Sequence, residues 1–380
     1  MKFTVSRKRR LFGATLLVGC ASLLVACASG SDKSKPSDLP PNVALIGVRP
    51  AWSAKLGEVS FPMALAVTGS QIVAASTDGG VAAMDAETGR ESWRASTGEA
   101  LVAGVGSDGK VSAVVTRTNA LVAFLEGREL WRQKVLAQVY TAPLVAGGRV
   151  FVLAADRSVT AFDGGTGRRL WSQQRPGESL VLRQAGVILA VGDTLVVGLS
   201  GRLLGLNPLN GSVRWEVPLA TPRGTNDVER LVDLVGPVSR NGNVVCARAF
   251  QTAVGCIDAA RGTLIWSQPA NGVTGVHGDG RYVFGTETDG KLVAWSQASG
   301  ERLWVSEGLR FRGLSAPVNA GRSVIVGDNV GVLHMLSIEN GNALNRVSTD
   351  GSAIAAAPVL AGNTLVAVTR NGGIFGFQPE

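Results

Sequence analysis

The chain has 380 residues, 45% of them hydrophobic and 17% charged, with 37 Lys and Arg against 29 Asp and Glu. Five of the cations and none of the anions lie in the first 26 residues, so the other 354 carry a formal charge of +3 rather than +8, and the high pI reports mainly on the leader. No basic cluster with interleaved aromatics remains beyond that leader, which argues against nucleic acid as a partner, while the apolar fraction supplies ample material for one large domain.

Lys2, Arg7, Lys8, Arg9 and Arg10 form a basic stretch, Leu11 to Val25 an apolar one, and Leu24-Val25-Ala26-Cys27 ends it with a small residue before a cysteine. This order is that of a secretory signal. Its ending resembles the lipobox of bacterial lipoproteins, which implies cleavage before Cys27 and thioether lipidation of that residue. A plain signal peptide or a short membrane anchor is the alternative; the apolar run is short for a span, and a polar stretch follows at once. That stretch, Ser29 to Pro41, is rich in Ser, Pro, Lys and Asp and is expected to be a disordered spacer. Ala28 stands where, in the lipoprotein sorting code, an Asp would favour the inner membrane, so the resemblance points to the outer one. The expected organisation is residues 1–26 signal, 27–41 lipidated tether and 42–380 one folded domain.

From there a tryptophan slot recurs at Trp52, Trp93, Trp131, Trp171, Trp215, Trp266 and Trp304, with Asn345 where an eighth would fall. The gaps are mostly about 40 residues, the period of four short strands per unit in a β-propeller. The slot closes a phrase, Ala-Phe-Asp-Gly-Gly-Thr-Gly-Arg-Arg-Leu-Trp at Ala161 to Trp171 and Ala-Met-Asp-Ala-Glu-Thr-Gly-Arg-Glu-Ser-Trp at Ala83 to Trp93, with degenerate copies ending at Trp215, Trp266 and Trp304. In the phrase an alternating strand leads to a turn bracketed by Asp163 and Gly167, or Asp85 and Gly89. The Asp bonds the turn's backbone and the Gly accepts positive φ. A new strand then carries the Trp, a dominant packing element. Upstream of each phrase a Gly turn and an alternating apolar strand follow a proline, as in Pro143 to Val152 and Pro317 to Val326, so each unit reads as four antiparallel strands.

Seven complete units run from about Phe61 to Arg346, and the last, Pro358 to Phe377, stops before its Trp strand. The surplus strand Pro50 to Leu56 at the other end would complete an eighth unit and remove the exposed edges. The expected fold is all-β, an eight-bladed β-propeller of four-stranded antiparallel blades closed by pairing of the chain's two ends. A β-solenoid or two separate β domains would leave the complementary half-units a coincidence.

Signals for chemistry are sparse. Cys246 and Cys256 flank a turn centred near Gln251 on consecutive candidate strands, five residues to either side. A symmetric hairpin would set them opposite each other within disulfide range, and a bulge would instead leave two free thiols. His277 and His334 stand in different units with no second ligand at metal-like spacing, and a surface or turn role is expected for both. Gly275 to Gly280 precedes a strand rather than a helix, so it reads as a turn and not a nucleotide loop. The sequence offers no glycine elbow for Ser-His-Asp catalysis. No catalytic residue, metal or cofactor is expected.

The Ala-x-Asp-x-x-Thr-Gly-x-x-x-Trp repeat resembles that of the pyrroloquinoline-quinone dehydrogenase type propellers across nearly the whole chain beyond the leader. The lipobox, the eight units and the length further resemble the BamB lipoproteins of the outer-membrane β-barrel assembly machinery. Two segments carry this second likeness. Ser179-Leu180-Val181-Leu182-Arg183 is similar to that family's Ser-Leu-x-Leu-Arg loop, which contacts BamA; an ordinary strand with Leu180 and Leu182 inward is the alternative. Asp227 to Val235 resembles its acidic-x-x-Arg-Leu-x-Asp-x-Asp stretch, with Val235 in place of the last Asp, so that only Asp233 carries over as a contact candidate.

The resemblance implies a non-enzymatic scaffold on the periplasmic face of the outer membrane, binding the POTRA domains of BamA through Leu180, Leu182, Arg183 and Asp233. Unfolded outer-membrane proteins are a second class of partner, added by β-augmentation at exposed outer strands. The alternative is a periplasmic quinoprotein oxidoreductase on the same propeller, which would need a cofactor funnel with calcium-binding carboxylates; a generic envelope scaffold is a third reading.

Overall fold

The structure, a computed structural model, describes residues 1–4, 35–175, 180–222, 225–226 and 231–380. Among these the chain forms eight four-stranded antiparallel sheets and no helix. Seven sheets take their strands in sequence order, giving blades 1 to 7 over residues 66–96, 101–134, 144–174, 188–218, 234–269, 276–306 and 318–348. Blade 8 mixes the two ends of the chain. Val48–Lys55 pairs antiparallel with Gly373–Pro379, in a register that runs from Val48 opposite Pro379 to Lys55 opposite Gly373. The ring is an eight-bladed propeller whose seam lies between the inner three strands of the last blade and its outer one.

Blade cores follow from the strand composition. The two middle strands of each blade are nearly continuous runs of buried Val, Ala, Leu and Ile, as in Gln71–Ala75 and Gly80–Asp85, because both of their faces pack against neighbouring blades. Outer strands alternate and are half exposed. The repeated tryptophans join blade to blade. The indole N–H groups of Trp52, Trp131, Trp171, Trp266 and Trp304 donate to the carbonyls of Ala86, Gly164, Pro208, Gln297 and Ile338 in the following blade, at 2.7–3.0 Å.

The phrase glycine therefore has a second task. Gly89, Gly167 and Gly300 take φ of 70–73°, and a Cβ there would lie 2.5–2.6 Å from the ring of Trp52, Trp131 or Trp266. Each tryptophan is seated on the turn of the next unit, so Asp, Gly and Trp are one interlocking device. Within the turn, the hydroxyl and N–H of Thr88 donate to Asp85, as those of Thr166 do to Asp163. These bonds hold both carboxyls below the usual carboxylate range.

The seam explains Asn345. Blade 8 has no continuous turn between its third and fourth strands, so a blade-7 tryptophan would have no glycine to sit on. Asn345 instead donates from Nδ2 to the Ile46 carbonyl at 2.7 Å and accepts from Asn42 Nδ2 at 2.8 Å. The chain ahead of the first strand is thus bound to blade 7.

That binding moves the boundary expected at Pro41. The compact unit starts at Ser37, whose N–H and hydroxyl donate to the carbonyls of Arg310 and Gly308 and whose own carbonyl accepts from Arg312 at 3.0 Å. Leu39 packs against the buried cluster that holds Leu309 and Leu314. The last five residues of the expected tether therefore belong to the propeller, because an apolar side chain, two bonds through the Ser37 backbone and one through its hydroxyl secure them. Cys27, Ala28 and the rest of the leader from residue 5 to residue 34 lie outside the described residues.

Candidate partner-binding site

The loop after blade 3 and the loop before blade 5 meet on one face of the ring. Leu180 to Gln184 lies between strands Arg169–Gln174 and Ile188–Val191 and is irregular, so the inward-facing strand considered for it does not form. Leu180 is 41% exposed and Arg183 is exposed, while Leu182 is half-buried. The Leu182 N–H donates to Asp233 Oδ2 at 2.9 Å across 51 residues of sequence. Asp233 thus caps the other loop, and Leu231 and Val232 lead into it. Ser179 and Asp227 to Arg230 lie outside the described residues.

Further bonds fasten the Leu180 loop to three blades. The Gly186 N–H donates to Thr141 Oγ1 at 2.9 Å, and Gly236 and Gly198 donate to the carbonyls of Ala185 and Val187 at the same distance. The Arg183 guanidinium lies 5.7 Å from the centroid of the Tyr140 ring, within range of a cation–π contact. A small cavity of about 50 Å³ sits beneath, between Tyr140, Leu182 and Asp233. The result is an exposed leucine beside a cation, held over a hydrogen-bonded base. Such a surface suits recognition of another protein.

Val235, which replaces the second acid of the resembling stretch, is not on this surface. It is 2% exposed in the inner strand Leu234–Asn241, opposite Arg248. Sequence reasoning missed Tyr140, Thr141 and Arg157; the first two carry no signal of their own, and Arg157 stands in a turn position that sister blades fill with glycine.

Cys246 and Cys256 are directly opposite in the hairpin and joined as a disulfide, with their Cα atoms 4.0 Å apart. The histidines depart from the surface or turn role expected for them. His334 is buried in strand Val332–Ser337, with Nε2 3.0 Å from Asp328 Oδ2. His277 lies in strand Val276–Gly278 and accepts the Asn319 N–H on Nδ1 at 3.1 Å; burial pushes its imidazole below the ordinary value, against a smaller opposing pull from Asp279. Both sit where blades pack together, because a strand position between blades is interior whatever its polarity. The same strand takes up Val276 to Gly278 of the glycine-rich stretch, leaving the turn at Asp279.

The central channel tests the quinone alternative. Its cavity, about 520 Å³, is lined by Met63, Leu65, Ile188, Pro237, Leu314 and Ile354 among other uncharged residues, with Arg370 the only charged side chain in the described lining. A calcium–quinone pair needs several carboxylate and cationic partners, and this lining does not fit it.

A family model described as "Outer membrane protein assembly factor BamB" matches residues 77–306. A protein of that name from Burkholderia pseudomallei is 36% identical over 371 residues, covering 96% of this chain and 97% of the relative. One from Bordetella pertussis is 36% identical over 368 residues, covering 96% and 94%. Among solved structures, BamB from Moraxella catarrhalis superposes with a TM-score of 0.79 at 23% identity over 87% of this chain and 99% of that one. A quinohemoprotein alcohol dehydrogenase from Comamonas testosteroni superposes at 0.67 with 14% identity, covering 90% and 78%. At those identities the structures speak for the fold alone.

Proposed function

Because the chain belongs to the BamB family of outer membrane protein assembly factors, we propose that it is a non-enzymatic scaffold lipoprotein of the outer-membrane β-barrel assembly complex. It binds the POTRA domains of BamA and assists folding and insertion of barrel proteins. The observation that carries the partner reading is the bond from the Leu182 N–H to Asp233, which joins the two family-like loops into one surface. Leu180 supplies apolar contact, Arg183 a directional cation, and Asp233 the anchor of the loop that presents them. Lipidation at Cys27 holds the protein at the periplasmic face of the outer membrane.

The test is co-purification with BamA of a variant carrying Leu182→Ala and Arg183→Glu. Loss of an apolar anchor and an Arg from a hot spot costs about 2 kcal/mol or more in binding, and normal co-purification with unchanged melting would remove the loop from the interface. For the anchor, Cys27→Ser should abolish lipid labelling and release the protein from membranes.

One observation directs the second activity, capture of unfolded barrel strands. Of the eight outer strands among the described residues, only Thr263–Pro269 has no charged side chain, and it exposes Leu264 by 45% and Ile265 by 41%. Charges guard such edges against strand addition, so client strands are expected to pair there. Capture undiminished by Leu264→Lys with Ile265→Lys would sink that assignment.

A further inference from the structure

Blade 5 closes its inner hairpin turn with a bond from the Thr252 N–H to the Ala249 carbonyl and is left-handed at the third residue, Gln251, whereas the inner turns of six other blades share a skeleton in which the N–H of a left-handed fourth residue returns to the carbonyl of the first. These bonds run from Gly79 to Ser76, Asn119 to Thr116, Arg157 to Ala154, Gly290 to Glu287, Gly331 to Asp328 and Gly372 to Thr369. Every fourth residue is left-handed, with φ of 105°, 61°, 63°, 86°, 74° and 81° in that order. Glycine and asparagine are the residues that tolerate this conformation, and a bulky side chain there is an outlier that points to a task. Blade 3 alone among the six puts such a residue, Arg157, in the position.

The task is visible in what the side chain reaches. Arg157 is buried, with Nε donating to Ser200 Oγ in the blade-4 turn at 2.9 Å and Nη2 donating to the carbonyl of Leu180 at 3.2 Å. Leu180 belongs to the loop whose further pins are the Leu182 N–H on Asp233 and the Gly186 N–H on Thr141. The arginine therefore holds the loop at Leu180, on the blade-3 side, while Asp233 holds it from the blade-5 side. A long side chain with a planar fork can bond two oxygens on different elements at once; the glycine or asparagine of the sister turns cannot reach them.

We infer that Arg157 is a positioning residue for the partner-binding loop: it accepts an unfavourable backbone conformation so that Leu180, Leu182 and Arg183 are presented pre-organised. The inference rests on the reading of that loop as the interface. Pre-organisation raises affinity by sparing the ordering cost at the moment of binding, so the effect belongs to binding rather than to the fold.

The turn itself supplies the separating variant. Arg157→Gly installs the residue that four sister turns carry, removing the guanidinium while suiting the backbone. The expected result is a thermal midpoint unchanged or raised, amide exchange at Leu182 faster by about tenfold, and capture of purified POTRA domains weakened by about fivefold or more. Arg157→Lys, which keeps the charge and loses the fork, should weaken capture to an intermediate degree. Arg183→Glu is measured beside them. If Arg183→Glu captures the domains normally, the loop is not the interface and the positioning role falls with that reading. If Arg183→Glu loses capture while Arg157→Gly captures and exchanges like the wild type, the interface stands and the inference is wrong. A lowered midpoint in Arg157→Gly, with exchange rising across blades 3 and 4 alike, would mark a residue of the fold and overturn it as well.

Discussion

Two stretches of irregular chain are fastened to this propeller by arginines, and they are fastened differently. At blade 7 the segment from Ser37 to Gly47 is held by Arg312, which bonds the Ser37 carbonyl and is itself ion-paired with buried Asp328 at 2.8 Å; His334 shares the same carboxylate oxygen. Leu39 adds an apolar contact to the core of blades 6 and 7. At blades 3 to 5 the Leu180 loop is pinned by Arg157, Asp233 and Thr141 and leaves Leu180 and Arg183 exposed. The first fastening removes charge and apolar surface from water and so belongs to the stability of the ring near its seam. The second holds an exposed surface in shape and buries little, so its contribution to stability is that of single hydrogen bonds.

Asp328→Ala gives the sharpest break. It leaves Arg312 and His334 facing a buried site without their shared acceptor, a kind of loss that costs about 3–5 kcal/mol, and the denaturation midpoint in urea should fall accordingly. A midpoint near wild type would mean that the blade-7 fastening is no more stabilising than the loop pins.

The same carboxylate predicts a pH dependence. Burial pushes Asp328 up, but bonds from His334, the Val332 N–H and Arg312 outweigh it and hold it at about 2, below the ordinary 3.8. A depressed folded value means stability that is fully present above pH 3.8 and lost as the pH falls through about 2, worth about 2 kcal/mol for this group. Stability measured from pH 5 to pH 2 should show this acid limb, and Asp328→Asn should flatten it; an unchanged limb would assign the loss to other carboxylates.

Smaller effects are expected at single hydrogen bonds. Asn345→Ala removes the bonds to Ile46 and Asn42, and Asp233→Ala removes the acceptor of the Leu182 N–H; each is worth about 1 kcal/mol in stability. The two should part in limited proteolysis, with Asn345→Ala exposing the chain near Asn42 and Asp233→Ala the chain near Leu182. Identical cleavage patterns would erase the distinction between the fastenings. Because Asp233 acts through the Leu180 loop, its effect on capture should not add to that of Leu182→Ala. Least of all, Arg183→Glu should leave stability within about 0.5 kcal/mol of wild type while capture is lost.

Much of this was legible because the chain repeats itself. The spacing of Trp52 to Trp304, the Asp and Gly of each turn and the half-units at the two ends were enough for blade number, strand number and closure. The facing cysteines followed from hairpin symmetry. What repetition also contained, and was easy to overlook, is that Arg157 occupies a slot filled elsewhere by Gly79, Gly290, Gly331 and Gly372. The histidines went astray because a lone polar residue in a strand says nothing about which face its blade neighbour covers. The tether boundary went astray because Ser and Pro mark a spacer only where no core side chain such as Leu39 interrupts them.

By itself the sequence determined the periodic part of this protein, since local turn chemistry and strand alternation are properties of neighbouring residues and recur with each copy. Tertiary structure alone decided the contacts between copies: that each tryptophan sits on the glycine of the next blade, that Asn345 faces a seam with no glycine to cover, and that Leu182 meets Asp233 from 51 residues away. The physical reason is the ring. Closing it brings together loops from successive blades on one face, and whether two of them share a hydrogen bond depends on geometry that no single repeat encodes.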